Sequence, residues 1–163
     1  LISKDVIEVF AARFLTNPQV LWLSESGNKV VLQDNALAAA IGLLIDPSKA
    51  LPDIILVDMG NSQDGEDMRV VFVEVVASDG PIDLKRRTVL AALAADAGFE
   101  EGHLVFVTAY LDRSLPAFKK TISALAWNSY AWLASEPDQL IAMGEIGELA
   151  ALALGKGGGT AAP

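Results

Sequence analysis

The stretch that decides the fold is residues 51–85, LPDIILVDMGNSQDGEDMRVVFVEVVASDGPIDLK. Two apolar runs, residues 53–59 and 69–77, flank a loop rich in turn-forming residues, which predicts two antiparallel strands joined by that loop. Asp53 opens the first run and Glu74 interrupts the second. An ionised carboxylate inside an apolar strand is costly unless its charge is compensated, so the two acids indicate a shared compensator. A divalent cation fits this role, because hard cations prefer carboxylate oxygens.

Hydrophobic periodicity predicts helices and strands on both sides of this stretch. A helix that starts at Pro81, with Ser78 or Asp79 near its N-cap, follows the Glu74 strand directly. The other predicted elements are a helix (2–15), a hairpin (20–23 and 29–32), a helix (35–45), a strand parallel to the Glu74 strand (103–110), a short basic helix after Ser114, a strand (127–134) and a last short helix opened by residues 136–138. These elements predict an α/β fold whose mixed central sheet has about five strands and is flanked by helices.

The length and composition of the chain indicate one well-buried domain. It has 163 residues, of which 52% are hydrophobic, and we assign residues 1–144 to the domain and the glycine-rich residues 145–163 to a flexible extension. With no cysteine, disulfides, thiolate metal sites and a cysteine nucleophile are excluded. No apolar run reaches the roughly 18 residues that span a bilayer, and no signal-peptide pattern is visible, so we expect a cytoplasmic protein without membrane association.

The net charge of −9 argues against tight binding to nucleic acid, because affinity for phosphates comes from lysine and arginine. The basic residues are nevertheless unevenly distributed. Residues 85–120 hold six of the twelve lysines and arginines against four of the twenty-one acids. This segment therefore has a small net positive charge, which weakens the objection to DNA binding without removing it.

Several motifs together resemble a known family. They are Pro52-Asp53, Glu74-Val75-Val76, Ser78-Asp79-Gly80-Pro81, Lys85-Arg86, LVFVTAY (104–110) and AWNSYAWLASEPDQLI (126–141). Over residues 1–143 the chain resembles the C-terminal catalytic region of the BsuBI/PstI family of type II restriction endonucleases, a branch of the PD-(D/E)XK nuclease superfamily. The resemblance implies Mg²⁺-dependent hydrolysis of double-stranded DNA at a short palindromic site by a homodimer, with a cognate DNA methyltransferase in the same system. It also implies an upstream DNA-binding region, which we expect to be absent from this chain.

The resemblance assigns roles to particular residues. Asp53 and Glu74, with the main-chain carbonyl of Val75, are expected to hold one or two Mg²⁺ ions. The superfamily pattern has a lysine two residues after the glutamate, where this chain has Val76. We therefore expect Lys85, on the following helix, to supply the missing amino group.

Three neighbours of that lysine complete the expected site. Ser78, Arg86 and Arg87 are the expected DNA contacts, although Ser78 could equally cap the helix and the arginines could form surface ion pairs. Lys85 itself could be a solvated surface lysine.

Other interpretations remain open at this point. Val76 in place of lysine is compatible with a lapsed nuclease that serves as a DNA-binding or dimerisation module. A nuclease that acts on junctions or nicks would use the same residues on another target. Glu8 is expected to be an exposed helix residue, His103 to be structural, and the acidic loop 64–67 to be a solvated turn and not a calcium site.

Overall fold

A computed structural model describes residues 1–25, 29–47, 49–77 and 80–144. Within these residues a single seven-stranded sheet runs through the molecule, in the order β2-β1-β3-β4-β5-β6-β7. The strands are β1 (Pro18–Glu25), β2 (Lys29–Gln33), β3 (Ile54–Asp58), β4 (Arg69–Val75), β5 (Leu104–Tyr110), β6 (Ser129–Leu133) and β7 (Leu140–Met143). Strands β4, β5 and β6 are parallel to one another, and the other neighbours pair antiparallel. The predicted antiparallel β3–β4 pair and parallel β4–β5 pair are therefore confirmed.

Four helices flank the sheet in the described part of the chain, which also contains short 3₁₀ helices at Glu101–His103 and Ile122–Ala124. Helix α1 covers residues 2–14, where α-helical turns Ile2–Asp5 and Ala11–Phe14 enclose a π-helical segment, Val6–Phe10. The others are α2 (Asn35–Ile41), α3 (Leu84–Asp96) and α4 (Pro116–Thr121). None of the helices in the described ranges is long and apolar enough to cross a membrane.

The expected number of strands was wrong, because the sheet has seven strands and not about five. The predicted hairpin of β1 and β2 extends this same sheet, and residues 136–138 do not start a helix. Instead, the amide of Glu136 donates to the carbonyl of Leu133 and that of Gln139 to Glu136, which closes a turn. The turn reverses the chain, so that β7 pairs with β6. Pro137-Asp138 resembles a helix start, and β7 itself has only four residues, too few for hydrophobic periodicity to distinguish a strand from a helix.

The sheet separates two hydrophobic layers. On one face α1 packs through Val6 and Phe10 against apolar residues that include Val71 and Val73 of β4. On the other face α2 and α3 pack against Val70 and Phe72. These two residues alternate along β4 with Val71 and Val73, so they point to the opposite face of the sheet. Glu74 continues the series of Val70 and Phe72, so its side chain lies on the α3 face.

Helix α3 starts later than the sequence predicts. Its first residue is Leu84, and Asp83 caps it by accepting a hydrogen bond from the amide of Arg86 at 2.8 Å. Ile82 is fully buried, and its amide donates to the hydroxyl of Thr108 in β5 at 3.1 Å. The buried Ile82 keeps the chain extended beyond Pro81, so Pro81 is not in the first turn. The expected caps Ser78 and Asp79 lie outside the described residues.

Candidate active site

The register between β3 and β4 brings Asp53 and Glu74 together. Ile54 is the partner of Val73 in this antiparallel pair, so the next position outward places Asp53 opposite Glu74. Two hydrogen bonds continue the pairing through side chains. The Val75 amide donates to Oδ2 of Asp53 at 2.8 Å, and the Asp53 amide donates to Oε2 of Glu74 at 3.2 Å. Two acids that are 21 residues apart in sequence thus form one carboxylate pair, at the end of the sheet where β3 begins and β4 ends.

Glu74 is largely withdrawn from water, with 6% of its surface exposed. Burial, opposed by the positive charge of Arg86 and reinforced by the negative charge of Asp53, raises the pKa of Glu74 to about 7. The carboxylate form is therefore incompletely compensated by the protein. Buried acids with a raised pKa beside a second acid are common at functional sites, which makes this pair a candidate.

Arg86 is the cation that contacts Glu74. Its Nε donates to Oε1 of Glu74 at 2.5 Å, and its two terminal nitrogens donate at 2.8 Å to the carbonyls of Ala50 and Leu51. From the sequence, Arg86 is predicted only as a DNA contact or a surface ion pair, and its contact with Glu74 is missed. The available signal was its position in the first turn of the helix after the Glu74 strand, although spacing alone does not distinguish it from Lys85.

Lys85 and Val76 occupy different surroundings. Lys85 is exposed on α3, and no hydrogen bond or ion pair links it to Glu74 in the described part of the structure. Val76 is 5% exposed and belongs to a hydrophobic cluster with Tyr110 and Leu133. The position where the superfamily pattern has its lysine is thus part of the core. The catalytic role of Lys85 stays a prediction.

Arg87 and Ser78 complete the predicted DNA contacts. The guanidinium of Arg87 forms an ion pair with Glu101, donates to the carbonyl of Asn128 at 3.3 Å, and lies 4.4 Å from the centre of the Phe106 ring. It lines a groove of about 440 Å³ with Arg69 and Leu104, the first residues of β4 and β5, whereas Glu74 lies near the end of β4. Ser78 lies outside the described residues, and both DNA-binding roles stay predictions.

The donor atoms of the pair suit a hard divalent cation. No group of three or more His, Cys, Asp or Glu side chains that could hold a metal ion occurs within the described ranges. The candidate ligands at this site are therefore two carboxylates and main-chain oxygens. Among the described residues, the Val75 carbonyl accepts a hydrogen bond from the Ala77 amide at 3.2 Å, and a carbonyl oxygen has two lone pairs. Mg²⁺ commonly binds through one or two carboxylates and completes its shell with water and substrate phosphates. Asp53, Glu74 and Val75 fit this requirement.

The remaining candidates occupy structural positions. Glu8 is exposed and 3.9 Å from Lys4, on a helix that packs on the sheet face opposite Glu74. His103 Nδ1 lies 2.8 Å from the Met68 carbonyl. In the acidic loop, Asp67 accepts hydrogen bonds from the amides of Asn61 and Ser62. These contacts support the expected structural interpretation of all three.

Asp58 is a buried acid that the sequence pattern does not single out. It ends β3 and accepts hydrogen bonds from the amides of Thr16, Asn17 and Gly60 at 2.9, 2.8 and 3.1 Å. Burial alone would raise its pKa, but these three amides, together with the positive charge of Arg69, outweigh burial and hold the pKa of Asp58 below its ordinary value. Asp58 ties the end of α1 to the sheet, at the opposite end of β3 from Asp53.

Comparisons with known proteins agree with this arrangement. The chain is 31% identical over 140 residues to the type II restriction enzyme BsuBI of Bacillus subtilis, an alignment that covers 85% of this chain and 40% of that enzyme. Its structure is similar to that of the SdaI restriction endonuclease, with a TM-score of 0.73, 28% identity, and coverage of 88% of this chain and 42% of SdaI. The chain thus spans about two fifths of the length of both proteins. A family model described as the BsuBI/PstI restriction endonuclease domain matches residues 1–145. The chain therefore belongs to the BsuBI/PstI restriction endonuclease domain family.

Proposed function

We propose that this chain is the catalytic domain of a type II restriction endonuclease that hydrolyses phosphodiester bonds of double-stranded DNA with Mg²⁺. The observation that carries the proposal is the buried Asp53–Glu74 pair, formed across two adjacent strands in a chain of this family. The names of the two relatives support the same conclusion, because both are called restriction enzymes.

The pair and the Val75 carbonyl are the proposed ligands of Mg²⁺. The bound ion would lower the pKa of a water molecule and neutralise charge that develops on the phosphate. Asp53 and Glu74 would keep their oxygens directed at one point, since each accepts a main-chain hydrogen bond from the segment that carries the other. The proposed role of Lys85 is to orient the attacking water or to stabilise the phosphate oxygens.

The proposed substrate is a short palindromic duplex. A palindrome has two-fold symmetry, so we propose a homodimer that presents one Asp53–Glu74 pair to each strand. Ser78, Arg86 and Arg87 are the proposed contacts to DNA. A cognate methyltransferase would protect the host sequence, and such a system operates in the cytoplasm with the chromosome. Because the net charge is −9, we expect DNA binding by these residues alone to be weak and sensitive to salt.

One observation favours a second candidate function. Val76 is packed in the core at the position of the superfamily lysine, and a valine can neither orient water nor stabilise negative charge. A lapsed nuclease that retains DNA binding or dimerisation would show this feature. The two candidates differ in one property, which is turnover of DNA.

Cleavage of a supercoiled plasmid in Mg²⁺ tests the proposal. We expect discrete bands from the wild type, no cleavage by Glu74→Ala, and a rate at least about 10²-fold lower for Lys85→Ala, the loss typical of a missing acid–base group. Arg13→Ala is the matched control, because it breaks an exposed pair with Asp138. Arg13 lies on α1, the helix on the sheet face opposite Glu74, so this variant should cleave at the wild-type rate.

The possible outcomes separate the assignments. Cleavage that survives Lys85→Ala but not Glu74→Ala would remove Lys85 from the mechanism and keep the nuclease. Absence of cleavage by the wild type over a range of divalent metals and DNA sequences, with DNA binding retained, would support the lapsed nuclease. Cleavage of junctions or nicks in preference to a palindrome would keep the nuclease and its site residues and would replace only the proposed substrate.

A further inference from the structure

We infer that Arg86 is a positioning residue, which fixes the Glu74 carboxylate relative to the segment that carries Asp53. The inference rests on the proposed metal centre and assigns it a supporting residue. It differs from the proposed DNA contact, because it concerns what Arg86 does inside the protein. It also differs from the role proposed for Lys85, since Arg86 acts through Glu74.

The guanidinium of Arg86 joins three parts of the site. Nε donates to Glu74 in β4, and the two terminal nitrogens donate to the carbonyls of Ala50 and Leu51, just before Pro52-Asp53. Each of its three nitrogens therefore has an acceptor in the protein. The side chain is only 23% exposed. This geometry sets the separation between Glu74 and the entry to β3.

The two oxygens of Glu74 are held from different sides. Oε1 accepts from Arg86, and Oε2 accepts from the amide of Asp53. The carboxylate is thereby fixed in rotation as well as in place. Groups that hydrogen-bond to metal ligands in this way tune metal affinity, typically by about 10- to 100-fold.

The fold places Arg86 in advance. Asp83 accepts the Arg86 amide and caps α3, and the preceding residue, Ile82, is tied to Thr108, the partner of Glu74 in β5. The start of α3 is thus anchored to the strand beside Glu74. Only a planar fork reaches one carboxylate and two carbonyls at once, so a lysine at this position would keep the charge and lose the geometry.

Calorimetric titration with Mn²⁺, a cation of the same ligand preference as Mg²⁺, tests the inference. We expect Arg86→Lys to bind Mn²⁺ about tenfold more weakly than the wild type, with a midpoint of thermal unfolding shifted by no more than about 5 °C. Arg113→Lys changes an exposed Arg–Glu pair in the same way and should leave both quantities unchanged. Glu74→Ala should abolish the binding.

Two results would overturn the inference in distinguishable ways. Wild-type Mn²⁺ affinity in Arg86→Lys, with binding lost in Glu74→Ala, would refute the positioning role and leave the metal centre in place. Absence of Mn²⁺ binding by the wild type would remove the proposed centre, and the inference with it. We use Arg86→Lys for this test because it preserves the positive charge beside Glu74. It can therefore test the positioning role even if Arg86→Ala fails to fold.

Discussion

At the scale of single residues, two buried acids are compensated in opposite ways. Asp58 has three main-chain amides directed at its carboxylate, and its pKa lies below the ordinary value. The carboxylate of Glu74 accepts hydrogen bonds from one main-chain amide and from Arg86. The effect of burial is larger than that of these contacts, so the pKa of Glu74 is raised to about 7. Asp58 is thus satisfied as an ion by the protein itself, whereas Glu74 still lacks part of its compensation. This difference separates a structural acid from a candidate metal ligand.

Replacement of Asp58 by asparagine should destabilise the protein. The side-chain amide of the asparagine would place an N–H donor against at least one main-chain donor, so we expect a loss of about 1–3 kcal/mol at pH 7 in urea unfolding. Because the folded-state pKa of Asp58 is lowered, its contribution is complete above the unfolded pKa and disappears as the pH falls through the folded value. The difference between wild type and Asp58→Asn should therefore shrink in acid.

The exposed Asp96, in the last turn of α3, offers the matched control. Asp96→Asn should change stability by less than about 0.5 kcal/mol at either pH. Equal stability of Asp58→Asn and the wild type at pH 7 would contradict the assignment of Asp58 as a structural anchor.

The sequence was informative for some of these residues and silent for others. Asp53 and Glu74 could be found because an acid inside an apolar run has few explanations. Asp58 is also an acid in such a run, but its partners Thr16 and Asn17 are 42 and 41 residues away, and no local pattern indicates them. Arg86 and Lys85 are adjacent, and the choice between them depends on a helix start that tertiary contacts determine.

At the scale of elements, the β3–β4 pair determines the site, because a shift of one residue would turn Glu74 to the other face of the sheet. Its connecting loop is held by Asp67, which accepts from the Asn61 and Ser62 amides. Gly60 enters this loop with φ of +63°, a conformation that favours glycine. A Cβ atom there would also collide with the Asp67 carboxylate.

Substitution of Gly60 by alanine should cost about 1–2 kcal/mol of unfolding free energy, since the left-handed conformation is unfavourable for a side chain. Urea unfolding measures this cost. Gly102→Ala is the control, because a Cβ there would meet open space and should change stability by less than about 0.5 kcal/mol. Equal stability of the two variants would show that Gly60 and Asp67 do not constrain the loop.

The elements themselves were largely predictable, since β3, β4 and β5 have apolar runs between clear turn signals. The errors arose where short-range pattern and tertiary structure disagree. β7 has four residues and follows a Pro-Asp pair that resembles a helix start, and only its pairing with β6 makes it a strand. Helix α3 starts later than predicted because the buried Ile82 is hydrogen-bonded to Thr108 of β5 and to Ala126.

At the scale of the whole molecule, the sheet separates the helix α1 from the side chains of the candidate active site. Helix α1 closes one face and contributes no ligand to the carboxylate pair, while α3 on the other face carries Arg86 and Lys85. Residues 85–120, which begin in α3, hold half of the basic residues of an acidic chain. The proposed cation would offset two of the acids where the proposed DNA substrate would approach.

The central claim is that Asp53 and Glu74 together hold a divalent cation, and a Mn²⁺ titration followed by nuclear magnetic resonance tests it most directly. Paramagnetic Mn²⁺ broadens the amide signals nearest to it. We predict that the signals of Asp53, Glu74 and Val75 broaden first in the wild type, and that this selective effect disappears in Asp53→Asn and Glu74→Gln. Selective broadening at another site, or the same broadening in both variants, would contradict the account.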